Sequence, residues 1–152
     1  MTSDVQKSHM ALALLEAERA AERSEVPVGA VLVASDGRVL ASEGNRTREL
    51  HDPTAHAEIL ALRNVCRMTG SERLVDADLY VTLEPCAMCA AAISFARIRR
   101  LYFGATDVKM GAVESGIRFF SQPTCHHVPE IYGGLAEREA ARKLKQFFLQ
   151  LR

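Results

Sequence analysis

Hydrophobic residues recur along the chain in two rhythms, and the switches between them lay out its elements. Met10, Leu14 and Ala17 fall on one helical face with Ala13 and Ala20 beside them, and the stretch from Met10 to about Arg23 holds no Gly or Pro. This predicts a helix. Val28 to Val33 is a short apolar run that reads as a strand. Ser35-Asp36-Gly37 is a turn signal, and Arg38 to Ser42 returns as the hairpin partner. Gly44 to Ala55 is polar, contains Pro53 and reads as a loop. A second helix is predicted from about His56 to Met68, ended by Gly70. Leu79, Val81 and Leu83 alternate through a strand from Asp78 to Leu83.

Pro85 suits the first turn of a third helix, where its missing N–H costs nothing; that helix continues through Ala87 to about Ala96. Ile98 to Phe103 is predicted as a strand stopped by Gly104, and a short helix is expected within Lys109 to Phe120, after Gly111. Val128 to Tyr132 reads as an edge strand. Gly133-Gly134 then breaks the chain before a last helix from Leu135 to about Leu149. Strands separated by helices predict α/β layers on a mixed, partly parallel sheet of about five strands, with the first two strands antiparallel. No internal repeat or linker interrupts the pattern, so one domain over 1–152 is expected.

Composition adds little to that picture. The 152 residues are 48% hydrophobic, enough for a full core. No stretch has the apolar length of a bilayer span and the start of the chain shows no signal-peptide pattern, so a cytoplasmic protein is expected. Lys+Arg and Asp+Glu are each 19. That balance argues against indiscriminate polyanion binding and leaves room for local basic groups. Arg97, Arg99 and Arg100 form one such group, and Arg138, Arg142, Lys143, Lys145 and Arg152 another. By composition alone each reads as a solvated face. Of the four cysteines, Cys66 lies among Leu62, Val65 and Met68 and reads as a buried, inert thiol. Cys125 reads as an ordinary loop or strand thiol.

The chemistry lies in two short motifs, His56-Ala57-Glu58 and Pro85-Cys86-Ala87-Met88-Cys89. A catalytic zinc usually takes three protein ligands and leaves a fourth position to water. His56, Cys86 and Cys89 supply that set, and Glu58 is left over as a proton carrier. Zinc lowers the pKa of bound water from 15.7 to roughly 7, which makes a nucleophile at neutral pH. Cys86 and Cys89 are three apart and share a helix face, at an N-terminus whose partial positive charge favours thiolates. His56 and Glu58 are two apart and would diverge by roughly 200° in a regular helix. His56 is therefore expected at the helix entrance, capped by Thr54, with two helix N-termini converging on one ion. The competing readings are a structural zinc site, with Glu58 or a distant His as fourth ligand, and a merely solvated Glu58.

The H-x-E and P-C-x-x-C pair resembles the signature of the zinc-dependent nucleobase deaminases. The stretches from Glu25 to Val31, Asp52 to Glu58 and Tyr80 to Cys89 narrow the resemblance to the bacterial tRNA-specific adenosine deaminases, within the cytidine/deoxycytidylate deaminase superfamily. Asn45-Arg46, the Phe103-to-Lys109 stretch and Phe147-Phe148 extend it over nearly the whole chain. The resemblance implies a three-layer α/β/α cytidine-deaminase-like fold and a homodimer. It implies one zinc per subunit on His56, Cys86 and Cys89, with zinc-bound hydroxide attacking C6 of the wobble adenosine of an arginine tRNA to give inosine. Glu58 would shuttle protons. Asn45 would contact the flipped base, Val28 would line its pocket, and the backbone around Glu84 to Cys86 would hold water and the leaving amine. Asp107 and Lys109 would touch flanking nucleotides, and Phe148 would pack on the anticodon loop.

Without the resemblance, Asn45 reads as a turn residue, Asp107 and Lys109 as a polar loop, and Phe147 and Phe148 as core. One departure stands out: His126-His127 occupies a segment where many members have Asn before His, and its role is open. Deamination of a free base or nucleoside, guanine or cytosine, is the alternative activity. A non-enzymatic, zinc-stabilised RNA-binding domain is the alternative class. The helix around Ala91 to Phe95 is a candidate dimer contact.

Overall fold

The computed structural model describes residues 3–151. Helix α1 spans Asp4–Glu22, starting well before the predicted Met10. Ser3 and Gln6 explain the early start. Ser3 Oγ accepts from Gln6 N–H (3.2 Å), and Gln6 Oε1 accepts from Ser3 N–H (3.0 Å). This reciprocal cap satisfies two otherwise orphaned donors.

Strands β1 (Gly29–Val33) and β2 (Val39–Gly44) form the expected hairpin, followed by α2 (Ala57–Thr69), whose C-terminal Gly70 adopts φ 69°. Then come β3 (Asp78–Leu83), α3 (Ala87–Phe95), β4 (Arg100–Ala105), β5 (Glu130–Tyr132) and α4 (Glu137–Gln150). The sheet order is β2-β1-β3-β4-β5. β1 is antiparallel to both neighbours, whereas β3, β4 and β5 run parallel.

Alternation along the strands divides the core between the two faces. Val31, Val33, Tyr80 and Tyr102 pack with Met10 and Leu14 of α1 and Ala140 of α4. Ala30, Leu32, Leu79, Val81, Leu101 and Phe103 pack with Leu62 and Val65 of α2 and Ile93 of α3. The result is the expected three-layer α/β/α arrangement. Each of the larger fully buried side chains contributes roughly 1.5–3 kcal/mol relative to exposure. At Gly29 the seating of α1 leaves no room for a side chain, since an added Cβ would lie 1.9 Å from Ala13 O. Among the described residues, no helix is long and apolar enough to cross a membrane.

Three expectations fail. Pro85 precedes the N-cap Cys86 and lies outside the first turn of α3. Gly104 lies inside β4 and does not stop it; a Cβ there would come 2.5 Å from Thr82 O, so glycine answers close packing and not chain termination. The helix expected within Lys109 to Phe120 is absent, and only a short 3-10 turn forms at Phe119–Ser121. The amides of Val113, Glu114 and Ser115 donate instead to the carboxylate of Glu84. A side chain on another element has outcompeted the helical hydrogen bonds.

Candidate functional site

The carboxyl ends of parallel strands are where open α/β sheets place ligands. Here the end of β3 feeds α3, and α2 begins beside it. His56 and Cys86 are the N-cap residues of these two helices, both with extended backbone (φ −72°, ψ 154°; φ −74°, ψ 176°). The convergence of two helix N-termini is as expected from the spacing. The capping residue is not. Thr54 Oγ1 donates to Asp52 Oδ1 (2.7 Å) and accepts from the Arg63 guanidinium (3.1 Å), so it does not cap the helix. Asn45 Oδ1 instead accepts from the buried Ala57 N–H (2.8 Å), reaching across from the end of β2.

His56 Nδ1 lies 3.6 Å from Cys86 Sγ and 3.4 Å from Cys89 Sγ. Tetrahedral zinc, with Zn–N near 2.0–2.1 Å and Zn–S near 2.3 Å, sets its nitrogen and sulfur ligands about 3.6 Å apart. The three side chains therefore fit one zinc ion, all their ligand atoms lying within 4.8 Å of one another. Their mutual contact shifts the pKa of all three. The hydrogen bond from Cys89, aided by His56, pushes the Cys86 thiol down to about 4. The same bond to Cys86, together with burial, pushes Cys89 up. His56 is raised by its hydrogen bond to Cys86.

Glu58 is 4% exposed, and burial raises its carboxyl above the ordinary glutamate value. It shares with His56 and Cys86 the wall of a cavity of about 480 Å³. Val28, Asn45 and Glu84 line the same cavity, as do Asp107, Lys109 and Phe148 at its mouth. Thus all the predicted contact residues meet around one space, with Cys89 buried behind Cys86. Phe148 is half exposed, while Phe147 is buried in the core. A larger depression of about 680 Å³ lies toward the opposite end of the strands, between Gln6, Arg100 and Tyr132. It lacks comparable chemistry, because Arg100 is paired with Glu130 (3.1 Å).

Glu84 is present in a different capacity from a free carboxylate. Burial raises its pKa, but hydrogen bonds from the N–H groups of Asp107, Ser115, Val113 and Glu114 outweigh that and hold it below the usual range. Asp107 is also partly committed, since Oδ1 accepts from the amides of Lys109 (3.1 Å) and Met110 (3.0 Å). Thr47, Val26, Leu83, Met110 and Leu144 complete the cavity and were not singled out from sequence. Val26 had a signal, since it lies in the Glu25-to-Val31 stretch that carries the resemblance. Met110 had only its place directly after the Phe103-to-Lys109 stretch, and Leu144 had none.

Neither His126 nor His127 reaches the cavity. His126 is exposed, and His127 Nε2–H donates to Ile98 O (2.7 Å). The Cys125 thiol donates to His127 O (3.2 Å), a structural role. Cys66 packs against the core, and burial raises its thiol pKa. Arg99 is paired bidentately with Asp78 (2.9 and 2.8 Å), and Lys143 lies 3.7 Å from Glu18. Arg138, Arg142 and Lys145 form no ion pair among the described residues; Arg152 lies outside them.

Residues 3–105 match the model of the cytidine and deoxycytidylate deaminase zinc-binding region. The chain belongs to the cytidine and deoxycytidylate deaminase family. It is 70% identical over 143 residues to a tRNA-specific adenosine deaminase of Agrobacterium fabrum, covering 94% of this chain and 93% of the relative. A tRNA-specific adenosine deaminase of Rickettsia bellii is 48% identical over 141 residues, covering 92% and 97%. A solved structure from a study of A-to-I editing by tRNA:A34 deaminases at the wobble position superposes with a TM-score of 0.88 at 70% identity, covering 90% of this chain and 99% of that one. The resemblance to the bacterial tRNA-specific adenosine deaminases and the deaminase fold read from the sequence are both borne out.

Proposed function

We propose that this protein is a zinc-dependent deaminase that converts adenosine to inosine at the wobble position of a tRNA, with arginine tRNA as its substrate. One observation carries the reading. The buried Glu58 carboxylate opens together with His56 and Cys86, two of the three grouped metal-type ligands, into a cavity whose mouth carries Lys109 and Phe148. A cavity of about 480 Å³ takes a single flipped base, whereas a cation and an exposed aromatic at the rim suit a phosphate and a neighbouring base. The 70% identity to a tRNA-specific adenosine deaminase supports the same substrate.

Zinc, when held by His56, Cys86 and Cys89, supplies the Lewis acidity that makes a water molecule reactive near neutral pH. Asn45 and Val28 orient the base, Asn45 through its side-chain amide and Val28 through apolar contact. Glu58 accepts a proton from the attacking water and passes it to N1 of the purine. It then takes the proton of the new hydroxyl to the exocyclic nitrogen. The C6–N6 bond breaks, ammonia leaves and C6 keeps the oxygen. Burial raises the proton affinity of Glu58, which suits a group that must give as well as take. The main chain around Glu84 to Cys86 faces the departing amine.

The expected assembly is a homodimer in the cytoplasm. In support, the surface between α2 and α3 exposes Phe95 (73%), beside a cavity of about 530 Å³ lined by Ile59, Leu62 and Ala92. The test is nucleoside mass spectrometry after incubating zinc-loaded protein with unmodified arginine tRNA bearing a wobble adenosine, with free adenine, guanine and cytosine in parallel. Inosine at that one position is expected. Deamination of a free base with the tRNA untouched would overturn the substrate reading. No turnover of any substrate would favour a non-catalytic RNA-binding domain.

A further inference from the structure

Two buried glutamates outside the metal set each hold one wall of the cavity. Glu84 is 2% exposed, and its carboxylate collects five hydrogen bonds from a single loop. Oε1 accepts from Asp107 N–H (3.0 Å) and the Ser115 hydroxyl (3.0 Å). Oε2 accepts from the amides of Val113 (3.0 Å), Glu114 (2.9 Å) and Ser115 (2.9 Å). The loop folds so tightly over this group that a Cβ at Gly111 would lie 2.5 Å from Glu84 Cδ. Asp107, Val108, Lys109 and Met110 on this loop form one side of the cavity.

Glu25, 1% exposed, does the same opposite. Its Oε2 accepts from Glu49 N–H (2.8 Å), and its Oε1 from Arg48 N–H (3.2 Å) and the Thr47 hydroxyl (3.4 Å). Thr47 lines the cavity on that side. A buried carboxylate is costly unless hydrogen-bonded, and here all the observed partners of both groups are loop donors. Without these acceptors each loop would leave several N–H groups unpaired, and neither loop has regular structure of its own to fall back on.

We propose that Glu25 and Glu84 are positioning residues, whose carboxylates fix the two loops in the spacing that receives the RNA strand. The role rests on the proposed tRNA deamination. Neither group acts on the reacting atoms; each acts through the loop it holds. Ordering the walls in advance spares the entropy of ordering them on binding, so the effect falls on substrate affinity.

The decisive variants are Glu84→Gln and Glu25→Gln, which keep size and replace one acceptor oxygen with a donor aimed at N–H groups. Amide hydrogen exchange on the zinc-loaded protein without RNA should show the amides of 107 and 113–115 in Glu84→Gln exchanging roughly tenfold faster or more. Those of 48 and 49 should do so in Glu25→Gln, while α2 and α3 keep their protection and zinc stoichiometry stays at the unmodified level. KM for tRNA should rise roughly tenfold, and kcat should fall by less than KM rises. Ser115→Ala and Thr47→Val keep the carboxylates and remove one donor each; they should show the same pattern at smaller amplitude.

Unchanged loop exchange in all four variants would overturn the proposal. So would faster exchange accompanied by a fall in kcat at unchanged KM, the mark of a merely smaller folded fraction. If the unmodified protein leaves tRNA untouched, the proposed function fails instead, and the exchange data still decide whether the carboxylates hold the loops.

Discussion

Asn45 carries two duties that substitution can separate. Its Oδ1 accepts from Ala57 N–H at 2.8 Å, at a helix start where the N-cap residue, His56, makes no side-chain cap bond. Its side chain also lines the cavity proposed to take the base. Asn45→Ala removes the acceptor and leaves a buried first-turn N–H without a partner. Replacing a helix-capping side chain with alanine costs about 1 kcal/mol, and an unsatisfied buried donor about 1–3 kcal/mol, so a loss of about 1–2 kcal/mol is expected. Asn45→Asp keeps an acceptor at the helix N-terminus, where negative charge is favoured, and should recover most of that stability. It replaces the amide donor with an oxygen, however. Both variants should therefore lose roughly 10- to 100-fold in kcat/KM for tRNA, the effect of one buried hydrogen bond.

Stability would be read by urea unfolding at one fixed free zinc concentration, because the metal binds the native state and adds to apparent stability. Activity would be read by inosine formation under conditions where each variant is fully folded. An aspartate variant as unstable as the alanine variant would refute the capping argument. An aspartate variant with native kcat/KM would refute the base contact and leave Asn45 as a structural residue alone.

The other predictions probe the metal, the proton carrier, the packing and the assembly. Glu58→Gln should lower kcat by roughly 10²–10⁴-fold while zinc content, by elemental analysis, and tRNA affinity are retained. Zinc uptake should release protons. Cys89 and His56 have raised pKa values and are protonated in the metal-free protein at pH 6, while Cys86, at about 4, is already ionised. Zinc affinity should therefore fall roughly 100-fold for each pH unit below the His56 pKa, as for any site that must lose two protons; an indicator-dye titration finding no release would refute this. Gly29→Ala should destabilise the fold by about 1–3 kcal/mol or more, as overpacking does, since its Cβ would strike Ala13 O and push α1 off the sheet; a calorimetric Tm within a degree of native would contradict it. On the proposed homodimer, Phe95→Asp should sediment as a monomer where the unmodified protein sediments as a dimer, because a charge would replace the most exposed aromatic of the α2/α3 face.

The parts of the fold that were legible in the sequence are those fixed by local chemistry. The β1–β2 hairpin follows from an apolar run and a Ser-Asp-Gly turn, and α2 ends where Gly70 adopts a left-handed conformation. The metal set was legible for the same reason. Cys86 and Cys89 owe their shared direction to one helical turn, and the two-residue step from His56 to Glu58 requires a break from helical geometry between them. The early start of α1 was also local, written in Ser3 and Gln6, but the apolar periodicity that announced the helix begins only at Met10.

What sequence did not give was decided by partners far along the chain. The segment from 109 to 120 carries Gly111 and Gly116, which weaken a helix locally, and Glu84, 29 to 31 residues earlier than Val113, Glu114 and Ser115, offers their amides a charged acceptor instead. Thr54 is a good cap by type, yet its hydroxyl is engaged by Asp52 and Arg63, and Asn45, just past the end of β2, reaches the helix start instead. In each case a polar side chain brought in by the tertiary fold outbid the local choice, and in each case the segment it organised borders the cavity. The metal ligands sit on helix ends that their own residues define, so their motif can be read alone. The walls are loops whose backbone donors are taken up from outside by Glu25 and Glu84. On the proposed function, the walls that receive the substrate rest on hydrogen bonds that no spacing rule encodes, whereas the metal set rests on a motif that spacing does encode.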